Sequence, residues 1–118
     1  MTPSPNSRKM SNSEKIIKYV KHNTVRVKTG KREECTKVLM KFFKELEGKS
    51  TGMRGFVVMD DIHDLQESVV LTFWETKEDM DKFYQPDNKT ISDLVERLKP
   101  SLEQLPLRKD YRVAKFKA

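Results

Sequence analysis

Hydrophobic and polar positions change period along this chain, and the changes mark its strands and helices. The stretch from Val69 to Trp74 is almost uninterrupted in apolar residues, which is typical of a strand covered on both faces. The period then switches to that of a helix, and Thr76 and Asp79 have the spacing of an N-terminal capping box. This helix is predicted to end near Gln85, because the proline that follows interrupts it.

The first half of the chain predicts a strand followed by an amphipathic helix. The strand is predicted over residues 16–28, and its side chains alternate between two faces. One face carries Tyr19, Asn23, Val25 and Val27, and the other carries Val20, His22, Thr24 and Arg26. From residue 31 the apolar residues follow helical spacing, at Cys35, Val38, Leu39, Phe42, Phe43 and Leu46. Asn23 is therefore expected to point in the same direction as two valines.

The second half of the chain predicts a hairpin, a divided helix and a last strand. Residues 55–60 predict a second strand, and a polar loop joins it to the third. A further helix is predicted over residues 90–104, kinked or divided at Pro100 and ended by Pro106. The final strand is predicted over residues 111–117. The resulting order, β-α-β-β-α-β, is that of an α+β, ferredoxin-like fold with a four-stranded antiparallel sheet.

This fold covers one sheet face with helices and leaves the other face bare. An exposed strand as apolar as the third one is an aggregation hazard, so two sheets are expected to pair in a closed homodimer. The composition agrees with this, since only 36% of the 118 residues are hydrophobic and 36% are charged. One chain therefore has few apolar side chains with which to cover a second face.

Composition and charge also restrict the domain organisation and the partners. Residues 1–15 are rich in proline, serine and asparagine, so they are expected to form a disordered arm before a single domain over residues 16–118. The net charge of +6 is spread along the chain, with lysines interleaved among acids, which is not the pattern of a nucleic-acid footprint. No signal peptide and no membrane partner are expected either.

The cysteine and histidine content argues against disulfide and metal chemistry. Cys35 is the only cysteine, which excludes an internal disulfide or a cysteine-based metal cluster and fits a reducing, cytoplasmic location. His22 and His63 are the only histidines, and they are far apart in sequence. We therefore predict neither a metal site built by the protein nor a serine-histidine triad.

Three segments of the chain resemble the antibiotic biosynthesis monooxygenase (ABM) family: HNTVRVKTGKREECTKVLMKF, GFVVMDD and VVLTFWETKEDMDKFY. The last segment looks like the family's block of a strand, the letters W-E-S-K-E and a helix. The resemblance runs from Lys18 to Phe116 and implies a dimeric α/β barrel. It leaves the activity open, because the family includes cofactor-free oxygenases, quinol oxygenases, heme-degrading enzymes, isomerase-like members and proteins of no known activity.

Two branches of the family imply different sites. In the polyketide-oxidising branch, the resemblance implies a dry pocket between the sheet and the helices, where a deprotonated substrate reacts with dioxygen. Trp74 matches the tryptophan of that branch, but Val70 stands where an asparagine is expected and Met80 stands where a tyrosine is expected.

The heme-degrading branch uses an asparagine, an aromatic residue and an iron-ligating histidine. Asn23 matches the asparagine, and Phe83 replaces a tryptophan. The position of the histidine falls near Asp93, and no histidine lies in that region. Without an axial ligand, heme is expected to bind weakly if at all. We therefore predict that the protein uses no cofactor.

The sequence and the resemblance together predict a cofactor-independent monooxygenase acting on a small quinol-like or other electron-rich aromatic molecule. Asn23 would hydrogen-bond the developing oxyanion, while Trp74 and Phe83 would stack on the ring and exclude water. Phe42, Met59 and Met80 are further candidates for the pocket wall. No residue stands out as a general base.

Each assignment has a structural alternative. Asn23 can instead satisfy a neighbouring backbone group, and Trp74, Phe83 and Met80 can be core residues. Two functions of other classes also stay open at this point: a heme-binding or heme-degrading protein, and a non-catalytic dimer that binds a small molecule.

Overall fold

The computed structural model describes residues 16–118, so the disordered arm predicted over residues 1–15 lies outside the described part of the chain. The elements run β1 Tyr19–Arg26, α1 Arg32–Leu46, β2 Met53–Asp60, β3 Glu67–Trp74, α2 Lys77–Phe83, α3 Lys89–Leu98, a 3-10 turn Lys99–Ser101 and β4 Leu107–Arg112. Within these described residues, no helix is both long enough and apolar enough to cross a bilayer.

The four strands form one antiparallel sheet in the order β2-β3-β1-β4. This is the strand order of a ferredoxin-like fold, so the α+β prediction is confirmed. On β3, Ser68, Val70, Thr72 and Trp74 are buried, and the residues between them are only partly buried. The helices therefore cover one face of the sheet, which we call the helix face; the other is the open face.

The amphipathic stripe predicted for the first helix is confirmed in α1. Cys35, Leu39, Phe42 and Phe43 are buried on the side that meets the sheet. Phe43 stacks on Phe56 of β2, with ring centroids 4.2 Å apart and an interplanar angle of 9°. This contact fixes the helix over the β2 side of the sheet.

The cap predicted for the helix after β3 is present at the start of α2. The Thr76 side chain accepts a hydrogen bond from the backbone N–H of Asp79 at 3.1 Å. The Asp79 side chain lies against Gly52, where a Cβ atom would overlap it. Gly52 also has a φ of +82°, in the left-handed region, so both the space and the backbone conformation require glycine there.

The interruption predicted at Pro100 is confirmed, but the helix predicted over residues 90–104 is wrong in its second half. The α-helix ends at Leu98, and Pro100 lies in the following 3-10 turn, because proline has no N–H with which to continue the helix. Leu102 then forms an isolated antiparallel bridge with Val27 instead of another helical turn. The start of α3 is fixed by Asn88, whose side chain accepts a hydrogen bond from the Thr90 N–H at 2.9 Å.

The last strand, predicted over residues 111–117, is also wrong, since β4 runs from Leu107 to Arg112. All six of its residues are exposed, so neither face of the strand has to be apolar and no alternation of apolar and polar residues marks it in the sequence. Its position is set by pairing with β1, in which Leu107 lies opposite Thr24 and Arg112 lies opposite Tyr19. This pairing is a long-range contact, which local alternation does not reveal.

The expectation that β3 is covered on both faces fails for the chain alone. Val69, Leu71 and Phe73 lie on the open face and are only partly buried. Among their neighbours on this face, Met59 is 43% exposed and Tyr111 is 49% exposed. The open face is therefore an apolar surface that no helix of residues 16–118 covers.

Candidate functional site

A narrow pocket lies between the helix face of the sheet and the three helices. Its walls are apolar and include Leu39, Phe42, Phe43, Phe83, Ile91 and Leu94. Its polar groups come from three residues: Asn23 on β1, Tyr84 after α2, and Arg108 on β4. The space that a water molecule can occupy inside it measures about 30 Å³. That volume holds about one or two waters, so an aromatic ligand enters only when the walls move apart.

Asn23 lies at the polar end of this pocket, with both ends of its amide engaged. The alternation of β1 places the side chain on the helix face, as predicted, where it is 7% exposed. Its Nδ2 donates to the backbone O of Val70 at 3.0 Å, and its Oδ1 accepts from Arg108 Nε at 3.2 Å. The amide therefore braces the backbone of β3, which was the structural alternative for this residue.

The amide nitrogen of Asn23 nevertheless keeps a donor for a ligand. An amide nitrogen carries two hydrogens, and only one is used by Val70. The second faces the backbone O of Lys21 at 3.5 Å, which is a long and weak contact. A substrate oxygen can replace this partner at little cost.

Tyr84 connects the pocket to a buried chain of hydrogen bonds. Its hydroxyl lies 2.9 Å from Thr72 Oγ1, which also accepts from Trp74 Nε1 at 2.9 Å. Burial raises the pKa of the Tyr84 hydroxyl, against smaller lowering contributions from hydrogen bonding to Thr72 and to Asn23 and from the positive charge of Arg108. Tyr84 is therefore a neutral phenol at physiological pH and is unsuited to act as a base.

Two cations lie beside the Tyr84 ring. The Lys21 Nζ is 4.7 Å from the ring centroid, and the Arg108 guanidinium carbon is 5.0 Å from it. Lys21 is neutralised by Asp110, with Nζ and Oδ1 2.7 Å apart. Among the described residues, Arg108 forms no ion pair. The polar end of the pocket therefore carries an uncompensated positive charge.

The structure brings some of the predicted site residues together and separates others. Asn23, Phe42 and Phe83 line the pocket. Trp74 is fully buried behind this wall, with its ring centroid 5.3 Å from that of Phe83. Met80 is also fully buried and does not line the pocket.

Met59 lies away from all of these residues. It pairs with Val69 on the open face, so the sheet separates it from the pocket.

Two polar residues of the pocket were not among the predicted candidates. Tyr84 stood inside the quoted family block, and its neighbour Phe83 was chosen instead. Arg108 fell in the loop before the misplaced last strand; with β4 in register, it lies directly opposite Asn23.

The side chains of the pocket do not fit the binding of heme. Neither histidine lines the pocket. His22 lies on the open face against Tyr111, with ring centroids 6.1 Å apart, and His63 is exposed in the β2–β3 loop. We therefore derive no step through heme.

The described residues offer no metal site either. They contain no group of three or more histidine, cysteine, aspartate or glutamate side chains that could hold an ion. Cys35 is buried on α1, and desolvation raises the pKa of its thiol to about 11, so it is a poor nucleophile and a poor metal ligand at neutral pH.

The fold resembles solved structures of several bacterial and archaeal proteins. A putative antibiotic biosynthesis monooxygenase from Caulobacter crescentus is 12% identical with a TM-score of 0.71, covering 91% of this chain and 99% of that one. A conserved protein from Methanosarcina mazei is 16% identical with a TM-score of 0.69, covering 86% of this chain and 97% of that one. At these identities the likeness concerns the fold. No functionally curated protein matches the chain.

The sequence model of a protein family gives the assignment. The model described as antibiotic biosynthesis monooxygenase matches residues 18–88, which is more than half of the chain. The matched range contains β1 to α2, and with them Asn23, Trp74 and Tyr84. The chain therefore belongs to the antibiotic biosynthesis monooxygenase family.

Proposed function

We propose that this protein is a cofactor-independent monooxygenase that oxidises an electron-rich aromatic molecule, such as a quinol or a phenol. The observation that carries the proposal is the pocket itself. It is a narrow space with apolar walls, and its polar groups converge at one end, at Asn23, Tyr84 and Arg108. Such a site orients a ring by a single hydroxyl group and keeps the rest of the ring away from water.

The charges at the polar end favour ionisation of the substrate. A hydroxyl bound beside Asn23 lies close to Arg108, since the two side chains are joined by a hydrogen bond of 3.2 Å. A nearby positive charge stabilises the phenolate over the phenol and lowers the pKa of the bound hydroxyl. The second N–H of Asn23, held only by the long contact with the backbone O of Lys21, stabilises the same oxyanion.

With Arg108 and Asn23 beside the substrate hydroxyl, the protein can promote ionisation of the substrate without a general base. Tyr84 is kept neutral by burial, and Asp110 is engaged with Lys21. We infer that the proton of the substrate hydroxyl leaves to solvent at the mouth of the pocket, because Arg108 is itself exposed. The protein then contributes the electrostatic stabilisation of the anion.

The chemistry balances without an added reductant. The phenolate donates electron density to a ring carbon that still carries hydrogen, para or ortho in a phenol and ortho in a hydroquinone, and this carbon forms a bond with one atom of dioxygen. The O–O bond then breaks, the ring C–H proton is lost, and the second oxygen atom leaves as water. One phenol and one dioxygen thus give one quinone and one water, with all four electrons supplied by the substrate.

We also propose that the protein is a homodimer that buries its open face. Phe73 and the other apolar side chains of this face are only partly buried, and Met59 and Tyr111 are nearly half exposed. Two copies paired through these faces would bury on the order of 2,000 Å². The pocket opens on the other side of the sheet, so both copies would keep their sites. A cytoplasmic location and the absence of nucleic-acid partners remain predictions.

The test is oxygen uptake with a panel of phenols and hydroquinones, followed by mass spectrometry of products formed under isotopically heavy dioxygen. Incorporation of one heavy oxygen atom into a quinone product, at a rate that depends on the enzyme, is the expected result. Asn23→Ala should lower that rate, and Met59→Ala, on the opposite face of the sheet, should not. A wild type that binds members of the panel but consumes no oxygen would instead identify a non-catalytic binding protein.

A further inference from the structure

We propose that the substrate is an aromatic acid, whose carboxylate binds the guanidinium of Arg108. This inference rests on the proposed function and names the chemical class of its substrate. It starts from the charges at the pocket. Asp110, two residues along β4 from Arg108, is already paired with Lys21 at 2.7 Å. Arg108 thus lines the pocket as a cation that no carboxylate of residues 16–118 neutralises.

The guanidinium is held in place, although it has no ionic partner. Its Nε donates to Asn23 Oδ1 at 3.2 Å, and its central carbon lies 5.0 Å from the centroid of the Tyr84 ring. An arginine held only by water would adopt many rotamers. Here two contacts with pocket residues restrict it, so less conformational entropy is lost when a ligand binds.

The remaining donors match a carboxylate. Arginine carries five N–H groups, and the Nε–H is used by Asn23, which leaves the four N–H groups of the two terminal nitrogens. Such a planar pair of nitrogens binds the two oxygens of a carboxylate with two parallel hydrogen bonds. A hydroxyl group offers only one oxygen, which the Asn23 amide can bind by itself. When the substrate is an acid, its carboxylate therefore takes up the charge of Arg108, and the N–H of Asn23 is the group that stabilises the oxyanion.

The position of Arg108 also suits a charged group. The residue is exposed, while the walls behind it are apolar. A carboxylate bound there stays in contact with water, and the ring to which it is attached enters the dry part of the pocket. The carboxylate charge is then not buried, and only the uncharged ring leaves water. The substrate is thus an amphipathic molecule with its acid at the mouth.

Binding of hydroxynaphthoate and of its neutral isostere hydroxynaphthamide, measured by titration calorimetry at low ionic strength, tests this inference. We expect wild type to bind the acid at least about tenfold more tightly than the amide. Arg108→Gln should abolish this preference, and Arg108→Lys should retain part of it. Arg112→Gln, four residues along the same exposed strand, is the matched control and should keep the preference intact. Melting curves of all variants establish that each is folded.

Two results would overturn the inference: equal affinity of wild type for the acid and the amide, or an unchanged preference in Arg108→Gln. Oxygen uptake separates these from failure of the proposed function. Oxidation of neutral phenols without any preference for acids would remove the inference and leave the monooxygenase intact. A preference for acids that depends on Arg108, together with no oxygen uptake on any compound, would support the binding of acids and refute the oxygenase.

Discussion

Replacing Asn23 by alanine tests whether this amide supports the fold as well as the site. The substitution removes the hydrogen bond from Nδ2 to the backbone O of Val70, at 3.0 Å, and the acceptor used by Arg108, at 3.2 Å. The first bond is buried, and its loss should cost about 1–2 kcal/mol of unfolding free energy. The second involves an exposed arginine whose guanidinium can bond to water instead, so its contribution is small.

The expected loss corresponds to a fall in melting temperature of roughly 4–8 °C for each kcal/mol in a domain of this size. Urea unfolding followed by the fluorescence of Trp74, the only tryptophan, measures the same quantity. All samples should have the same protein concentration, because the proposed dimerisation would make the apparent stability depend on it.

Arg108→Gln is the matched control for this experiment, because it removes only one of the two partners. It should change the unfolding free energy by no more than about 0.5 kcal/mol. The difference between the two variants then isolates the contact with Val70. If Asn23→Ala unfolds at the same urea concentration as wild type, the amide does not brace β1 against β3, and the reasoning is refuted.

Three further predictions concern the core, the assembly and pH. Trp74→Phe should lower the free energy of unfolding by about 1–3 kcal/mol, because it leaves a cavity and removes the N–H that donates to Thr72. A melting temperature equal to that of wild type would contradict this. Phe73→Lys should convert a dimer into a folded monomer in light scattering, whereas Met40→Lys, on the exposed side of α1, should leave the mass unchanged. The raised pKa of Cys35 means that folding favours the neutral thiol. The contribution of the neutral Cys35 thiol to the free energy of unfolding is therefore fully present below pH 9 and is lost as the pH rises to about 11. The raised pKa of Tyr84 lowers stability in the same direction at higher pH. Urea titrations between pH 8 and 11 measure this loss, which should become smaller in Cys35→Ala.

The sequence by itself determined those parts of the fold that depend on local chemistry. The stripe of α1 and the cap of α2 at Thr76 were predictable, because side chains three and four positions apart meet on a helix and a threonine oxygen reaches the nearby N–H groups. Alternation along β1 likewise placed Asn23 on the face that carries Val25.

The tertiary structure decided what depends on pairing between distant segments. Strand β4 is exposed along its whole length, so no hydrophobic pattern marked it, and only its register with β1 brought Arg108 opposite Asn23. The path of the chain after α3 was likewise set by the bridge between Leu102 and Val27. These contacts join residues more than 70 positions apart in the sequence.

The same distinction applies to the site residues. The sequence identified Trp74 as a landmark of the family, but packing placed it in the core behind Phe83 rather than in the pocket wall. Met59 was a candidate by residue type, yet the alternation of β2, in register with β3, directs it to the open face. Residue type and spacing indicate which side chains can contribute to a site. Which of them meet in one pocket depends on strand register, because a shift by one residue exchanges the two faces of the sheet.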